Sequence, residues 1–357
     1  MPALNAKDLQ QTWPLPLQPR PITLIGAGGI VRYAHLPAYA KIGLKVAGIF
    51  DLDRAKAEAM AQEFGVPVVH DSLDSALAAG ADATVYDLAL PPAAILPTVE
   101  RLPVGACALI QKPLGHSLAD ARAIVAALDT RRVTAATNFQ LRFTPSSLAI
   151  HDAMRRGLLG DIVDVDVHIA AYMPWELWSF MPALDAVEIP LHSIHYLDWF
   201  RSLLGEPAGV YAKTVPHPRY KDLKDARSSI ILDYPALRCC LSLNQTYRWG
   251  PRNVQATIQI EGTRGCARVE LGYLIDYLKP VPERLEMIVE GGEWTEIPLA
   301  GERHPDAFGA IMSNLQRFAA GEDAVLSTDV HDSLRTMALV DACLRSSRQG
   351  GVVPLAG

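Results

Sequence analysis

The segment that most constrains this chain is Ile22-Thr23-Leu24-Ile25-Gly26-Ala27-Gly28-Gly29-Ile30-Val31. A short apolar run that ends in closely spaced glycines reads as a buried strand passing through a tight turn into a helix. Gly26 permits the turn, and Gly28 lets backbone approach a pyrophosphate at the positive end of the following helix. The third position of such a turn is normally Gly or Ala, for close helix–strand packing, and here it is Val31. A second apolar run, Leu44 to Phe50, closes at Asp51, roughly 20 residues past the turn. A carboxylate at that place accepts hydrogen bonds from an adenosine ribose and repels a 2′-phosphate. The reading is therefore a dinucleotide site for NAD rather than NADP, with Gly26, Gly28, Gly29, Ile30 and Asp51 as cofactor residues. Asp53 adds to the negative sign and Arg54 opposes it.

The pattern after the turn supports this. Apolar runs at Val66–Val69, Ala83–Leu88, Ala106–Ile110 and Val133–Phe139 alternate with helical spacing at Leu36–Ile42, Arg54–Phe64, Leu73–Ala79 and Leu118–Leu128. Pro67 lacks an N–H for a ladder, which puts Val66–Val69 at a sheet edge. Alternation at this pitch predicts parallel βαβ units with right-handed crossovers. Past Arg142 the pattern changes. A helix over Ser146–Arg155 leads into strand-like runs at Ile162–Ala171, Ser228–Tyr234, Arg238–Thr246, Val254–Glu261 and Ala267–Glu270, with helices at Ile194–Leu204, Ala307–Phe318 and Val330–Ser346. This predicts a mostly antiparallel sheet. With 357 residues the chain is long enough for two domains. The expected division is an arm over 1–20, an α/β Rossmann domain with a doubly wound parallel sheet over 21–141, and an α+β domain with an open, mostly antiparallel sheet over 142–357. The proline-rich arm is free to hang loose or to pack on a partner subunit.

A formal net charge of −6 argues against nucleic acid as the main partner. The five cysteines have neither C-x-x-C spacing nor histidines at zinc-site distances, and they read as free thiols in a reducing compartment. No metal-ligand pattern is visible. The first residues lack the apolar core of a secretory signal, and no run reaches the ~18 apolar residues of a membrane span. The expected location is the cytoplasm.

At this point the chain resembles the Gfo/Idh/MocA family of oxidoreductases. The resemblance is carried by Gly26-Ala-Gly28-Gly29-Ile30 with His35-Leu-Pro37, by Asp51 followed by Phe64-Gly65, and by Ala89-Leu90-Pro91-Pro92. Gln111-Lys112-Pro113, Arg142-Phe143 with Pro145, and His195-Tyr-Leu-Asp198 complete it. It implies a Rossmann domain before an open-faced sheet that walls the substrate and often mediates oligomers, here a homodimer or homotetramer. It also implies NAD(P)-linked oxidation or reduction of a hydroxyl on a sugar, sugar derivative or cyclic polyol. Pro91 matches the loop that walls the nucleotide, and Gln111-Lys112-Pro113 matches a Glu-Lys-Pro signature.

Within that resemblance, Lys112 follows a strand at a carboxyl end, where an ammonium can hydrogen-bond the reacting oxygen. His195 is the candidate general base, since an imidazole titrates near working pH. Gln111 replaces the usual Glu and removes a negative charge, which favours a lower pKa at Lys112. The family commonly carries an Asp where this chain has Leu191, followed by a glycine where it has His192. His192 is therefore a candidate substitute polar group, and Glu188 a candidate replacement carboxylate. Asp198 is expected to orient or cap. Arg142, Tyr172 and Trp175, with Trp178, are candidates for the substrate wall, the aromatics as a stacking surface for a sugar ring. Arg248 and Arg252 are candidate anion contacts. The expected activity is an NAD-dependent dehydrogenase with the substrate hydroxyl between Lys112 and His195. The alternatives are an NAD-dependent glycoside-cleaving enzyme of the same fold and a non-enzymatic NAD-binding sensor.

Overall fold

The computed structural model describes residues 4–175, 181–272 and 281–350. The chain divides into two compact units, one of residues 12–144 and 303–337, the other of 1–11, 145–302 and 338–357.

The first unit is built on β1 (Ile22–Ile25), α1 (Leu36–Ile42), β2 (Val46–Phe50), α2 (Arg54–Phe64), α3 (Leu73–Leu77), β3 (Val85–Leu88), α4 (Pro92–Val99), β4 (Cys107–Ile110), α5 (Leu118–Thr130) and β5 (Thr134–Thr137). Its five strands run parallel in the order β2-β1-β3-β4-β5. Parallel strands covered on both faces need apolar side chains throughout, and β1, β3 and β4 are buried at every residue. Ser117 and Asp120 close a capping box at the start of α5. The expected strand at Val66–Val69 reduces to a single bridge between Val69 and Ile49, beside the outer strand β2. Pro67 withholds the donor that a longer ladder needs. The sequence reading misses α4, whose prolines look like loop punctuation. Two of them open the helix, Pro91 at the cap and Pro92 in the first turn.

The expected boundary at 141/142 compares with a junction at 144/145, and the segment 303–337 joins the parallel-sheet unit. The reason is apolar. In α8 (Asp306–Ala319), Ala307, Phe308, Ile311, Met312 and Leu315 are buried in one core with Ile22, Leu24, Val31, Leu109 and Ala136.

The second unit carries α6 (Pro145–Arg155), β6 (Ile162–Ala170), α7 (Ile194–Leu204), β7 (Gly209–Val215), β8 (Arg227–Asp233), β9 (Arg238–Asn244), β10 (Gln255–Gly262), β11 (Gly265–Glu270), β12 (Arg284–Val289) and β13 (Thr295–Ile297). The final helix α9 (Val330–Gln349) begins in the first unit and ends in the second. The eight strands follow the order β13-β12-β11-β10-β6-β9-β8-β7. Neighbours are antiparallel except for β6 and β9, so the sheet is mixed. Alternation sorts the faces: Val165, Val167 and Ile169 of β6 and Cys239, Leu241 and Leu243 of β9 are buried. On the other face Tyr211 and Ile231, cross-strand neighbours, are exposed.

The amino-terminal arm packs on its own chain. Gln11 bonds Pro298 and Ala300 in the second unit. In the first unit the Trp13 indole donates to Asp323 at 2.9 Å and meets Phe143 edge-on. The Arg20 amide donates to Gln316 at 2.8 Å. Among the described residues no helix is long and apolar enough to cross a membrane.

Candidate functional site

Because β1 to β4 are parallel, the residues that follow them share one edge of the sheet. These are Gly26 after β1, Asp51 after β2, Ala89 after β3 and Gln111-Lys112 after β4. In open parallel sheets, ligands bind outside this carboxyl edge.

Gly26 has φ 110° and donates its N–H to Phe50 at 2.7 Å. A Cβ there would lie 2.4 Å from the Ala89 carbonyl oxygen, so the position accepts only glycine. Gly28 and Gly29 are exposed, and the space around Gly28 is open. The Gly28 carbonyl accepts the Val31 and Arg32 amides and opens the helical segment. Val31 is fully buried in the core and begins a π-helical turn, Val31–His35, before α1. The bulky third residue is thus accommodated by core packing. Ile30 is half-buried against the same core. Asp51 accepts the Ala27 amide at 2.7 Å and the Asp53 amide at 2.8 Å. Its carboxylate ties the end of β2 to the glycine turn and keeps lone pairs for a ligand hydroxyl. Arg54 is occupied by Glu58 and Asp71 on the surface. Pro91 is exposed at the cap of α4. Exposed glycine backbone at a helix start, beside an acid, fits the pyrophosphate and ribose of a dinucleotide.

Beneath Gln111 lies a buried polar network. The His35 Nδ1 is 2.6 Å from Asp87 Oδ2, and the Tyr39 hydroxyl donates to the same oxygen at 2.6 Å. Both His35 and Asp87 are fully buried. Nδ1 faces the Asp87 carboxyl, and Nε2 faces the side-chain amides of Asn138 and Gln111. The Asn138 amide lies 3.2 Å from Nε2 and the Gln111 amide 3.4 Å from it. The Gln111 carbonyl accepts the Lys112 backbone N–H at 2.9 Å. Burial pushes the Tyr39 phenol up, and the charge of Asp87 and its hydrogen bond add to the rise. Burial, with the Arg303 guanidinium nearby, lowers the Lys112 ammonium to about 8. Burial, Arg303 and His35 together lower the His304 imidazole to about 3.

In the second unit a π-helical turn, Ile189–Ser193, leads into α7. His195 keeps 8 % of its surface exposed on α7, whereas Asp198 is fully enclosed. His192 is half-buried, with its ring edge-on to Trp175 at 5.1 Å. Trp175 is buried in an apolar cluster with Met173, Met181, Val187 and Leu223, and its indole donates to the Gln245 carbonyl. The expected stacking face is thus used for core packing. Tyr172 pairs with Thr246, and the Arg248 guanidinium stands 5.0 Å over its ring. Trp178 lies outside the described residues. Glu188 is fully buried and accepts the Ser193 hydroxyl at 2.8 Å. Asp225 accepts the Val187 and Glu188 amides. Burial raises the Glu188 carboxyl to about 8, against the bonds from Ser228 and Ser193, with Asp225 adding to the rise. Its carboxyl is committed to hydroxyls inside the unit.

Arg142, a candidate for the substrate wall, is engaged within the first unit. Its guanidinium donates to the Ser327 carbonyl and to Asp332, each at 2.7 Å, and so ties the chain at 140–143 to the start of α9. Asp87, Asn138, Arg303 and His304 were not legible as site residues in the sequence, and His35 stood out only within the His35-Leu-Pro37 motif. A lone acid inside the apolar run Ala83–Leu88 was the available signal for Asp87, because a buried charge needs a partner.

Residues 21–139 match the oxidoreductase family's NAD-binding Rossmann fold, and residues 152–355 match its C-terminal alpha/beta domain. D-apiose dehydrogenase of Paraburkholderia graminis is 28% identical over 93% of this chain and 88% of its own. Inositol 2-dehydrogenase of Rhizobium meliloti is 24% identical over 90% of this chain and 95% of its own. Among solved structures, an oxidoreductase from Agrobacterium radiobacter in complex with NAD+, L-tartaric acid and magnesium shares the fold. Its TM-score is 0.76 at 22% identity, covering 93% of this chain and 97% of that one.

Proposed function

The chain belongs to the Gfo/Idh/MocA oxidoreductase family, and from that premise we propose that it is an NAD-dependent dehydrogenase of a sugar, sugar derivative or cyclic polyol. The observation that carries the reading is Lys112, set at the carboxyl edge of the parallel sheet with its ammonium lowered to about 8. Bound NAD supplies the hydride acceptor. Lys112 hydrogen-bonds the reacting oxygen and steadies its developing negative charge. His195 takes the hydroxyl proton. Asp51 receives the adenosine ribose, and the exposed backbone at Gly28 and Gly29 receives the pyrophosphate. The pairing of Arg54 with Glu58 and Asp71, beside the Asp51 carboxylate, supports NAD over NADP.

The sugar and polyol substrates of the apiose and inositol dehydrogenases support the substrate class. The exposed sheet face around Tyr211 and Ile231 is the surface assigned to self-association as a homodimer or homotetramer, which light scattering checks. The activity test is purified protein with NAD and a panel of sugars and polyols, followed by the absorbance of reduced cofactor. Turnover in the wild type and a loss of about 1,000-fold in kcat for Lys112→Ala are expected. Full activity of Lys112→Ala on a substrate the wild type oxidises would sink the assignment.

A further inference from the structure

The strongest unexplained charge in the first unit is Arg303, in the loop before α8. Its Nε is buried without a hydrogen-bond partner, and among the described residues no acid pairs with its guanidinium. Two acids of the same unit have partners of their own, Asp87 in His35 and Tyr39, and Asp306 in Lys41. The loop is seated against the candidate site through a chain of rings. His304 lies 5.3 Å from Phe308, Phe308 lies 5.0 Å from His35, and His35 meets the Gln111 amide at 3.4 Å. Arg303 also acts electrostatically on both Lys112 and His304.

A partly buried guanidinium held near a second cation is unfavourable in isolation, because it loses water without gaining a partner and repels its neighbour. One anion between them relieves both terms. A guanidinium's planar fork fits a carboxylate or a phosphate in a way that a sugar hydroxyl cannot match. We propose that Arg303, together with Lys112, forms an oxyanion subsite, so that the substrate is an acidic sugar derivative carrying a carboxylate or phosphate near the reacting carbon. This deepens the dehydrogenase reading and rests on it. Arg303 is a specificity residue here, since its contact is with a part of the substrate that does not react.

The test uses the full chain with NAD and matched compounds: a neutral sugar or alditol, the corresponding aldonate and uronate, and the sugar phosphate. The charged member should exceed the neutral one by at least about 10-fold in kcat/KM. Arg303→Gln should raise KM for the charged member by about 10- to 100-fold while moving the neutral one by less than about twofold. Arg303→Lys should recover part of the loss, and both variants should keep the wild-type Kd for NADH, which also shows that they fold. The aldonate and phosphate arms say which oxyanion the subsite takes. Three outcomes overturn the proposal: equal use of neutral and charged members, an unchanged KM in Arg303→Gln, or a raised Kd for NADH with substrate KM unchanged. The last would assign the guanidinium to a cofactor phosphate. If no compound reduces NAD, the dehydrogenase reading fails separately. The subsite is then read by calorimetry of the same anions on the NADH complex, where binding lost in Arg303→Gln upholds it and absence of binding overturns it.

Discussion

Each unit buries a carboxyl group behind a segment that carries a candidate reactive residue, and the two carboxyls are satisfied by different chemistry. Both stand beside a π-helical turn, Val31–His35 in the first unit and Ile189–Ser193 in the second. Asp87 faces an imidazole and a phenol, two donors suited to a carboxylate. Glu188 faces the hydroxyls of Ser193 and Ser228, which bond equally well to a protonated acid, and it has Asp225 near it. The Asp87 network therefore acts as a fixed orienting device, aiming the amides of Gln111 and Asn138 at His35 Nε2. The Glu188 network holds a proton in the neutral range. Burial of an acid does not by itself determine its role; the available donors do.

Removing the ring that answers Asp87 should have the largest effect. His35→Ala leaves a fully buried carboxylate without its principal partner, at a cost of about 3–5 kcal/mol measured by urea unfolding. His35→Asn, which can still donate to Asp87, should recover part of this. A variant as stable as wild type would show that the network does not hold the first unit.

Glu188 should respond in the opposite sense. Its folded pKa, about 8, lies above the ordinary 4.5, so the native state binds the proton more tightly than the unfolded chain does. The associated stability is complete below pH 4.5 and is lost as pH rises through about 8. Glu188→Gln imitates the protonated form at every pH. Its Tm should match wild type at pH 5 and exceed it by about 5 °C at pH 8. Equal melting curves at both values would remove the proton from Glu188.

Smaller effects refine the comparison at the carboxyl edge of the parallel sheet. Asp51→Ala removes the acceptor that braces Ala27 and Asp53, and should weaken NADH about 10-fold while narrowing the preference over NADPH, as read by fluorescence titration. Gln111→Glu restores a negative charge beside Lys112. The alkaline limb of the kcat/KM profile should move up by about one pH unit from its wild-type position near 8. Superimposable profiles would show that Lys112 does not govern that limb.

The parallel sheet and the glycine turn were legible in the sequence because buried parallel strands read as continuous apolar runs and Gly26 meets a local steric demand. Lys112 and Gln111 were legible from their place after such a run. The strands β7, β12 and β13 were not. In β7, alternation is blurred by residues that are all half-buried or exposed. Asp87 and Asn138 sat inside apolar runs whose overall pattern hid them. Arg303 was out of reach of any local pattern, since its place depends on α8 packing into a core formed some 200 residues earlier in the chain.

Hydride transfer is tested most directly by isotope. A substrate deuterated at the carbinol carbon, incubated with NAD and the enzyme, should deliver one deuterium to the nicotinamide ring per molecule of ketone formed, as read by mass spectrometry. Lys112→Ala should deliver almost none in the same time. Deuterium lost to solvent during substrate cleavage, with no net reduced cofactor, would contradict the dehydrogenase assignment and point to glycoside cleavage on the same fold.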